Sequence, residues 1–287
     1  MDANIDSFLN WSQNQLAQAG VLSPRLDSEI ILAHTLKLSR TDLRTQSERV
    51  LNDLEKILAK QNIERRRRRE PVSQIIGYQE FWSLNFIVNE NVLSPRPETE
   101  VLVETALKYM PPAPARILDL GTGTGILSVV MAKEIEDCKV IAIDIDPQAL
   151  SVAKENSLRN GVAGKIEFIC SDMKNGSWPG LYSMILSNPP YIPSEDIQKI
   201  MPEVQNYEPI KALDGGNDGL DFYKNIIPKA VDKLEENGFL ILEIGHSQAK
   251  KVTDLLEKFS CYKNIEVIKD YSGYDRVIKA QKESANG

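Results

Sequence analysis

The sequence predicts an α/β protein in which a small all-helical domain precedes a doubly wound, largely parallel β-sheet. From Arg116 onward, short apolar runs rich in β-branched residues alternate with segments of helical period. Before residue 70, by contrast, the apolar residues recur at helical spacing only. Strands joined by helices pair in parallel, so their carboxyl ends lie at the same edge of the sheet. Ligand-binding groups are expected at that edge.

The composition narrows the class of protein. The 287 residues are 42% hydrophobic and 26% charged, as is usual for a soluble globular protein. No apolar run is long enough to span a bilayer, and the polar, acidic N-terminus does not resemble a signal peptide. Three scattered cysteines (Cys138, Cys170, Cys261) and only two histidines (His34, His246) lack metal-ligand spacing, so no metal centre is expected. These features predict a cytoplasmic protein with reduced thiols and no membrane partner.

Charge is distributed unevenly along the chain. Residues 1–70 contain 12 Lys+Arg and 10 Asp+Glu, a net charge of +2, whereas the rest contains 22 and 31, a net charge of −9. Neutralisation of phosphates supplies most of the affinity of non-specific nucleic-acid binding. The acidic larger part therefore argues against a stable nucleic-acid partner.

Residues 1–70 are predicted to form a helical substrate-recognition domain. Gly20 and the pair Ser23-Pro24 mark a break between its first two helices. The domain ends in five successive arginines, Arg65–Arg69, which must circle a helix axis. Two interpretations remain open: a solvated helix end whose guanidiniums pair with nearby acids, or a contact for an anionic partner.

Residues 71–95 are predicted to form a β-hairpin linker. The segment 79–88 is rich in aromatic and β-branched residues, and Asn89-Glu90-Asn91 is a turn candidate before Val92-Leu93. The third predicted domain, 96–287, opens on the stretch Pro97-Glu98-Thr99, which either lines the mouth of a cofactor site or only caps the following helix.

Seven strands are predicted in the third domain, the last of them antiparallel. They span 116–120, 139–145, 165–170, 184–187, 239–244, 264–269 and 275–280. The predicted helices that alternate with them span 126–135, 147–160, 221–234 and 248–259.

The end of the fourth of these strands carries the motif Asn188-Pro189-Pro190-Tyr191. Prolines have a fixed φ and no N–H, so the backbone here is stiff and cannot extend a strand ladder. The groups left to point outward are acceptors: the Asn188 side-chain oxygen and the carbonyls of Pro189 and Pro190. Two acceptors and the flat face of Tyr191 suit a planar group that carries an NH2.

A glycine-rich loop follows the first of these strands. Its residues are Gly121, Thr122, Gly123, Thr124 and Gly125. Such a loop lets a ligand approach the backbone closely. Asp144 ends the second strand, where a carboxylate can accept both ribose hydroxyls of an adenosine, and Asp172 follows the third, where it can meet an adenine amino group. The loop alone fits a dinucleotide or S-adenosylmethionine; its spacing is not the dinucleotide fingerprint.

With these motifs in place, the chain resembles the peptide chain release factor glutamine methyltransferases of the HemK/PrmC type, within the class I S-adenosylmethionine-dependent methyltransferases. The resemblance covers nearly the whole chain. Its main segments are Arg25-Leu26-Asp27-Ser28-Glu29, Glu80-Phe81-Trp82, Pro95-Arg96-Pro97-Glu98-Thr99-Glu100, the segment from Asp119 to Gly125, the segment from Ser187 to Ile192, Glu208-Pro209, Glu243-Ile244-Gly245 and Asp275-Arg276. The Asn-Pro-Pro-Tyr motif is shared with adenine DNA methyltransferases, so the other segments make the match specific.

The resemblance implies a Rossmann-like methyltransferase sheet, no metal, and transfer of a methyl group to the side-chain amide nitrogen of the glutamine in the Gly-Gly-Gln loop of class I release factors. It implies catalytic roles for Asn188, Pro189 and Tyr191, with Pro190 also contacting substrate. It also implies that S-adenosylmethionine binds at the glycine loop, the two acids and Asn188, and that Met173 packs on the adenine.

Rival interpretations stay open at this point. An adenine-N(6) methyltransferase acting on DNA or RNA would share the acceptor chemistry but would need a basic groove. A noncatalytic binding module would not need an intact Asn188. Tyr191 either contacts the substrate or only caps the core. Glu243 is favoured as a hydrogen-bonded strand-end carboxylate over an acid near the site, and 193–218 is either a wall for the substrate or a surface excursion.

Overall fold

The computed structural model describes residues 4–283. They form two compact units. The first extends to Tyr78 and also includes Met201–Tyr207, and the second comprises Gln79–Ile200 and the residues from Glu208 onward. Among the described residues, no helix has both the length and the apolar character that crossing a membrane requires.

Eleven α-helices and nine strands are described within residues 4–283. The helices are α1 (Ile5–Gln18), α2 (Pro24–Leu36), α3 (Arg40–Thr45), α4 (Asp53–Arg67), α5 (Val72–Ile76), α6 (Glu100–Lys108), α7 (Ile126–Glu134), α8 (Pro147–Arg159), α9 (Pro202–Tyr207), α10 (Asp221–Val231) and α11 (Ala249–Leu256). The strands are β1 (Tyr78–Phe81), β2 (Leu84–Ile87), β3 (Ala115–Leu120), β4 (Cys138–Asp144), β5 (Ile166–Cys170), β6 (Tyr182–Ser187), β7 (Leu234–Glu243), β8 (Tyr262–Lys269) and β9 (Asp275–Lys282).

The first unit is helical, as predicted, and contains α1 to α5 together with α9. Its core is formed by apolar residues at helical spacing, among them Phe8, Leu16, Ile31 and Ile63. Side-chain caps begin three of its helices, and at α3 and α4 the caps are complete capping boxes. Each such cap satisfies backbone N–H groups that a helix start leaves unpaired.

The arginine run Arg65–Arg69 resolves into two groups. Arg66 is buried and donates to both Asp27 (2.8 Å) and Glu203 (3.0 Å), and Arg69 holds the two oxygens of Glu203 at 2.7 Å each. The exposed members form the local pairs Arg65–Glu70, Arg67–Glu64 and Arg68–Glu64. The solvated-end interpretation therefore describes only part of the run, because two of its guanidiniums tie α9 into the helical unit.

The linker contains the predicted hairpin, but its turn lies elsewhere. β1 and β2 form a two-stranded sheet whose turn is Trp82-Ser83, with φ of +53° and +56°. Positive φ at both central residues is the geometry of a type I′ hairpin turn. A turn does lie at Glu90-Asn91, within the predicted turn candidate Asn89-Glu90-Asn91, but it is not the turn that joins β1 and β2, and Val92-Leu93 form no strand. The Trp82 backbone N–H donates to Glu100 and its indole to Glu134, which stabilises a turn that lacks asparagine and glycine.

The second unit contains the predicted sheet of seven strands, in the order β5-β4-β3-β6-β7-β9-β8. Neighbours from β5 to β7 are parallel, and β9 lies antiparallel between β7 and β8, as predicted. β7 begins at Leu234, earlier than expected, and the register shifts where it pairs with the start of β6. Residues 235–237 are polar and exposed, so this part of β7 lacks the apolar pattern of a buried strand. Asn237 also adopts a positive φ of 62°, which is unusual within a strand.

Two buried clusters cover the two faces of the sheet. Alternate residues belong to different clusters: Ile117 and Met184 pack with α6 and α7, whereas Leu118 and Ile185 pack with α10 and α11. This alternation follows from the two-residue period of a strand. The five parallel strands therefore end at one edge, where the loops after β3, β4, β5, β6 and β7 meet.

Candidate active site

The loop from Gly121 to Gly125 turns sharply between β3 and α7. The N–H of Gly121 donates to the Ile143 carbonyl (2.8 Å), and Gly121, Gly123 and Gly125 have φ of +72°, +54° and +83°. A Cβ on Gly121 would lie 2.6 Å from the Met173 methyl group. Only glycine fits this position without displacing Met173, so the backbone stays accessible from the crevice.

The buried acid Asp119 is hydrogen-bonded to the loop and to α7. One oxygen of Asp119 accepts hydrogen bonds from the Thr122 hydroxyl (2.7 Å), the Ser128 hydroxyl (2.6 Å) and the Ser128 N–H (3.2 Å). Its other oxygen has no hydrogen-bond partner among residues 4–283, and burial raises the pKa of Asp119 to about 6. Asp119 had no predicted role; its signal in the sequence is an acid near a strand end with hydroxyl residues three and nine positions later.

Asp144 lies at the carboxyl end of β4, beside the loop. One of its oxygens accepts the Gly123 N–H (2.9 Å) and the other accepts the Asp146 N–H (2.9 Å). Burial raises the pKa of Asp144 above its usual value. A carboxylate has about four lone-pair sites, so each oxygen keeps one free for a further donor such as a hydroxyl.

Asp172 and Met173 follow β5. The Asp172 oxygens accept from the Lys174 N–H (2.8 Å) and the Asn175 side-chain amide (3.1 Å), so this carboxylate stabilises the turn that follows β5. Asp172 also lines the cavity described below. Met173 covers Gly121 with its terminal methyl group. Its polarizable side chain gives the crevice an apolar surface at this point.

Asn188 follows β6 directly. Its side-chain nitrogen Nδ2 donates to the Thr99 hydroxyl at 3.2 Å. Thr99 is fully buried, and its hydroxyl is also a hydrogen-bond partner of the buried Glu243 carboxyl. Burial raises the pKa of Glu243 to about 7, and its oxygen Oε2 has no partner among the described residues. Glu243 is thus hydrogen-bonded, as favoured, but it is also linked to the motif through Thr99.

The backbone of the Asn-Pro-Pro-Tyr motif is held by segments distant in sequence. The Gln248 side-chain amide donates to the carbonyls of Tyr191 (2.9 Å) and Gly219 (3.1 Å). A Cβ on Gly219 would lie 2.4 Å from the Tyr191 carbonyl oxygen, and one on Gly215 would lie 2.9 Å from the Pro190 carbonyl oxygen. These glycines let the loop after α9 pack directly on the motif.

A cavity of about 560 Å³ lies at this edge of the sheet. The predicted residues that line it are Gly121, Gly123, Asp144, Asp172, Met173, Asn188 and Pro190. Ile210, Lys211 and Ala212 come from the segment 193–218, and lining residues that were not predicted include Asn91, Val92, Leu93 and Phe222. Such a volume is in the range of small-molecule sites.

The other predicted residues are not among those that line this cavity. Thr122 and Thr124 are buried, and Gly125 packs on α8, since a Cβ there would lie 3.0 Å from that of Ala153. Pro189 is buried. The Tyr191 ring lies against Gly245, and burial raises the pKa of its phenol above the usual value.

The segment 193–218 contributes to the cavity wall through Pro209–Ala212, so at this part it is more than a surface excursion. The wall is held by ion pairs. Glu208, whose side chain is 1% exposed, pairs with Arg96 at 2.6 Å, 112 positions earlier in the chain. Lys211 pairs with Asp146 across the cavity.

Comparison with known proteins agrees with this geometry. Residues 7–77 match the family model of the PrmC N-terminal domain, and residues 96–205 match that of the methyltransferase small domain. The release factor glutamine methyltransferase of Geobacter sulfurreducens is 37% identical over 277 residues, which cover 96% of this chain and 95% of that protein. The chain belongs to this family. The resemblance predicted from the motifs is therefore confirmed.

A second member of the release factor glutamine methyltransferases, from Thermodesulfovibrio yellowstonii, is 38% identical over 259 residues, covering 89% of this chain and 92% of that one. Solved structures share the fold at low identity. A methyltransferase from Pyrococcus furiosus aligns with a TM-score of 0.53 and 21% identity over 71% of this chain and 91% of its own. The hMettl16 catalytic domain in complex with the MAT2A 3′UTR hairpin 6 aligns with a TM-score of 0.58 and 15% identity, over 82% and 84%.

Proposed function

We propose that this chain transfers a methyl group from S-adenosylmethionine to the side-chain amide nitrogen, N(5), of the glutamine in the Gly-Gly-Gln loop of class I peptide chain release factors. Membership of the release factor glutamine methyltransferase family supports the choice of substrate. The main support for methyl transfer to an amide is the position of Asn188, which lines the same cavity as Gly121 and Asp144.

The residues around the cavity fit S-adenosylmethionine. When bound, this molecule supplies a methyl group activated by a positively charged sulfur. Asp144 has one free lone-pair site on each oxygen, which suits the two neighbouring hydroxyls of a ribose. Gly121 leaves the backbone open, and Met173 offers an apolar surface for a purine ring. Asp172 would accept from the purine amino group.

The part of the site formed by Asn188 and its motif suits a carboxamide as the group that accepts the methyl. An amide nitrogen is a poor nucleophile because its lone pair is delocalised into the carbonyl group. The Asn188 oxygen and the Pro189 carbonyl would each accept one hydrogen of the substrate NH2, and so would hold the nitrogen with one face toward the cavity. Positioning of this kind and acceptors placed where positive charge develops both lower the barrier. No histidine base is required, since the proton can leave late.

Tyr191 and Pro190 would form the surroundings of the substrate amide. The Tyr191 phenol stays protonated near neutral pH, because burial raises its pKa above the usual value of 10. It would therefore exclude water and support the motif rather than accept a proton. The rigid path of Pro190 keeps the carbonyl groups of the motif in place.

The test offers three acceptors side by side to the purified protein with radiolabelled S-adenosylmethionine: a class I release factor, duplex DNA and tRNA. We expect label on the release factor only, on the glutamine of the Gly-Gly-Gln loop by mass spectrometry, and none on a release factor whose glutamine is replaced by alanine. Label on DNA or tRNA instead would overturn the proposal in favour of an adenine-N(6) methyltransferase.

A further inference from the structure

The orientation of the Asn188 side chain decides what the site can bind. Its amide presents an oxygen on one branch and an NH2 group on the other. With the oxygen toward the cavity, the site accepts hydrogen bonds from a substrate NH2. With the NH2 group toward the cavity, the same site would repel such a substrate and would favour an acceptor. A group that fixes this orientation therefore contributes to specificity as well as to rate.

Thr99 is the observed partner of the Asn188 NH2 group, at 3.2 Å. A hydroxyl by itself cannot choose between the two orientations, because it can either donate or accept. The choice depends on where the single hydroxyl proton goes. The carboxyl of Glu243 is the second partner of the Thr99 hydroxyl, and this hydrogen bond favours the ionised carboxylate, whose oxygens can only accept that proton. Thr99 is then left with lone pairs only, so it must face a donor, the NH2 of Asn188.

Water does not compete in this chain of hydrogen bonds. Thr99 is 0% exposed and Glu243 is 1% exposed. Both lie on rigid elements: Thr99 ends the turn Pro97–Thr99 before α6, and Glu243 is the last residue of β7. β7 pairs with β6 up to Ser187 and Leu242, so Asn188 and Glu243 each lie one residue beyond the last pair. The nearby Arg276 is engaged with Asp270.

We propose that Thr99 and Glu243 are positioning residues that fix the Asn188 amide with its oxygen toward the substrate, and that they thereby select a substrate that offers an NH2 group. This rests on the proposed function for the identity of the substrate. The assignment itself concerns a hydrogen-bond chain within the protein, so it can be examined without any substrate.

The first measurement uses the ¹⁵N-labelled protein alone, in which the Asn188 side-chain amide signal is identified by its loss in Asn188→Ala. Thr99→Val removes the hydroxyl at nearly constant shape, and Thr99→Ser retains it. We expect the hydrogen-bonded amide proton to be shifted and slow to exchange in the wild type and in Thr99→Ser. In Thr99→Val we expect it to exchange about tenfold faster or more. An unchanged signal in Thr99→Val would overturn the proposal.

The second measurement is the steady-state rate with a release factor as substrate. We expect Thr99→Val to lower kcat about tenfold or more. KM for the release factor and affinity for S-adenosylhomocysteine should stay within about threefold. Thr99→Ser should restore kcat, and Glu243→Met, which removes the proton acceptor, should resemble Thr99→Val.

Two results would contradict the positioning role: an unchanged kcat in Thr99→Val, or a Thr99→Ser variant as slow as Thr99→Val. If the wild type labels no release factor at all, the proposed function fails, and the amide signal alone decides the role of Thr99. The two failures are therefore distinguishable.

Discussion

The cavity has two sides that are built in different ways: the cofactor side (Gly121, Gly123 and Asp144), where the cofactor would bind, and the acceptor side (Asn188 and the rest of its motif), which would hold the amide that accepts the methyl group. On the cofactor side, a contiguous loop and one strand-end acid are joined by a hydrogen bond from the Gly123 N–H to the Asp144 carboxylate. On the acceptor side, Asn188 is joined to Thr99. The rest of its motif is held by residues such as Gly219 and Gln248, which lie farther along the chain.

Because of this difference, the two sides should respond separately to substitution. A change on the cofactor side should alter binding of S-adenosylmethionine and leave the acceptor geometry intact. A change on the acceptor side, even far from Asn188 in sequence, should slow methyl transfer and leave cofactor affinity nearly unchanged.

The largest effect is expected for Asn188→Ala. The variant loses the side-chain oxygen of the motif at the cavity, so methyl transfer to the release factor should fall about a hundredfold or more. Affinity for S-adenosylhomocysteine, measured by calorimetry, should stay within a few-fold. Full activity with radiolabelled S-adenosylmethionine would show that Asn188 does not hold the substrate amide.

A second substitution that tests the Asn188 motif is Gly219→Ala, with Gly161→Ala as its control. The two glycines have nearly the same φ, +72° and +73°, so both variants carry a similar backbone penalty of about 1–2 kcal/mol. Only the Cβ at position 219 meets the motif, 2.4 Å from the Tyr191 carbonyl oxygen, whereas position 161 has no atom within 4 Å.

The rate should therefore fall about tenfold in Gly219→Ala and hardly at all in Gly161→Ala, because a displaced motif misplaces the substrate amide. Equal rates in the two variants, at matched stability in urea unfolding, would mean that the contact between Gly219 and the motif has no part in transfer.

On the cofactor side, Asp144→Ala should weaken binding of S-adenosylhomocysteine about tenfold to a hundredfold, as expected for losing hydrogen bonds to a charged acceptor. At saturating S-adenosylmethionine, kcat should change much less. Because burial raises the pKa of Asp144, the wild-type affinity should also fall as the pH is lowered through that pKa, and the variant should lack this dependence. Calorimetry across pH measures both; unchanged affinity in Asp144→Ala would refute the ribose assignment.

A further prediction concerns the free energy of unfolding, and it tests the buried carboxyl of Glu243. Burial raises the pKa of Glu243 from 4.5 to about 7, so between these values the folded state retains a proton that the unfolded state has released. Stability from this group is complete below about pH 4.5 and is lost as the pH rises to 7, by up to about 3 kcal/mol.

Glu243→Gln should remove this loss. Urea unfolding of the wild type and the variant at pH 5 and pH 7.5 gives the difference directly. Parallel pH dependences in the two proteins would show that Glu243 titrates normally.

What the sequence predicts follows the same division. The strands, the glycine loop and Asp144 are predictable because their patterns are local: alternation of apolar runs, a Gly-x-Gly-x-Gly spacing, and an acid at a strand end. The hydrogen bond between Asn188 and Thr99 joins residues 89 positions apart, and that between Arg66 and Glu203 joins residues 137 apart. No local period marks such pairs, so they were not predicted.

The structure differs from the sequence prediction at two further places. The hairpin turn at Trp82-Ser83 lacks the asparagine or glycine that normally marks a type I′ turn, and tertiary hydrogen bonds hold it instead. The early start of β7 is hidden because residues 235–237 are exposed and polar, although they lie within the strand.

The central claim is that the Asn188 oxygen holds the hydrogens of a substrate amide at the edge of the cofactor cavity. A crystal structure of the protein with S-adenosylhomocysteine and a release-factor fragment that contains the Gly-Gly-Gln loop tests it most directly. We expect the glutamine side-chain nitrogen about 3 Å from Asn188 Oδ1, with the Asn188 NH2 still on Thr99. A glutamine bound away from Asn188, or an Asn188 amide turned with its nitrogen toward the substrate, would contradict the account.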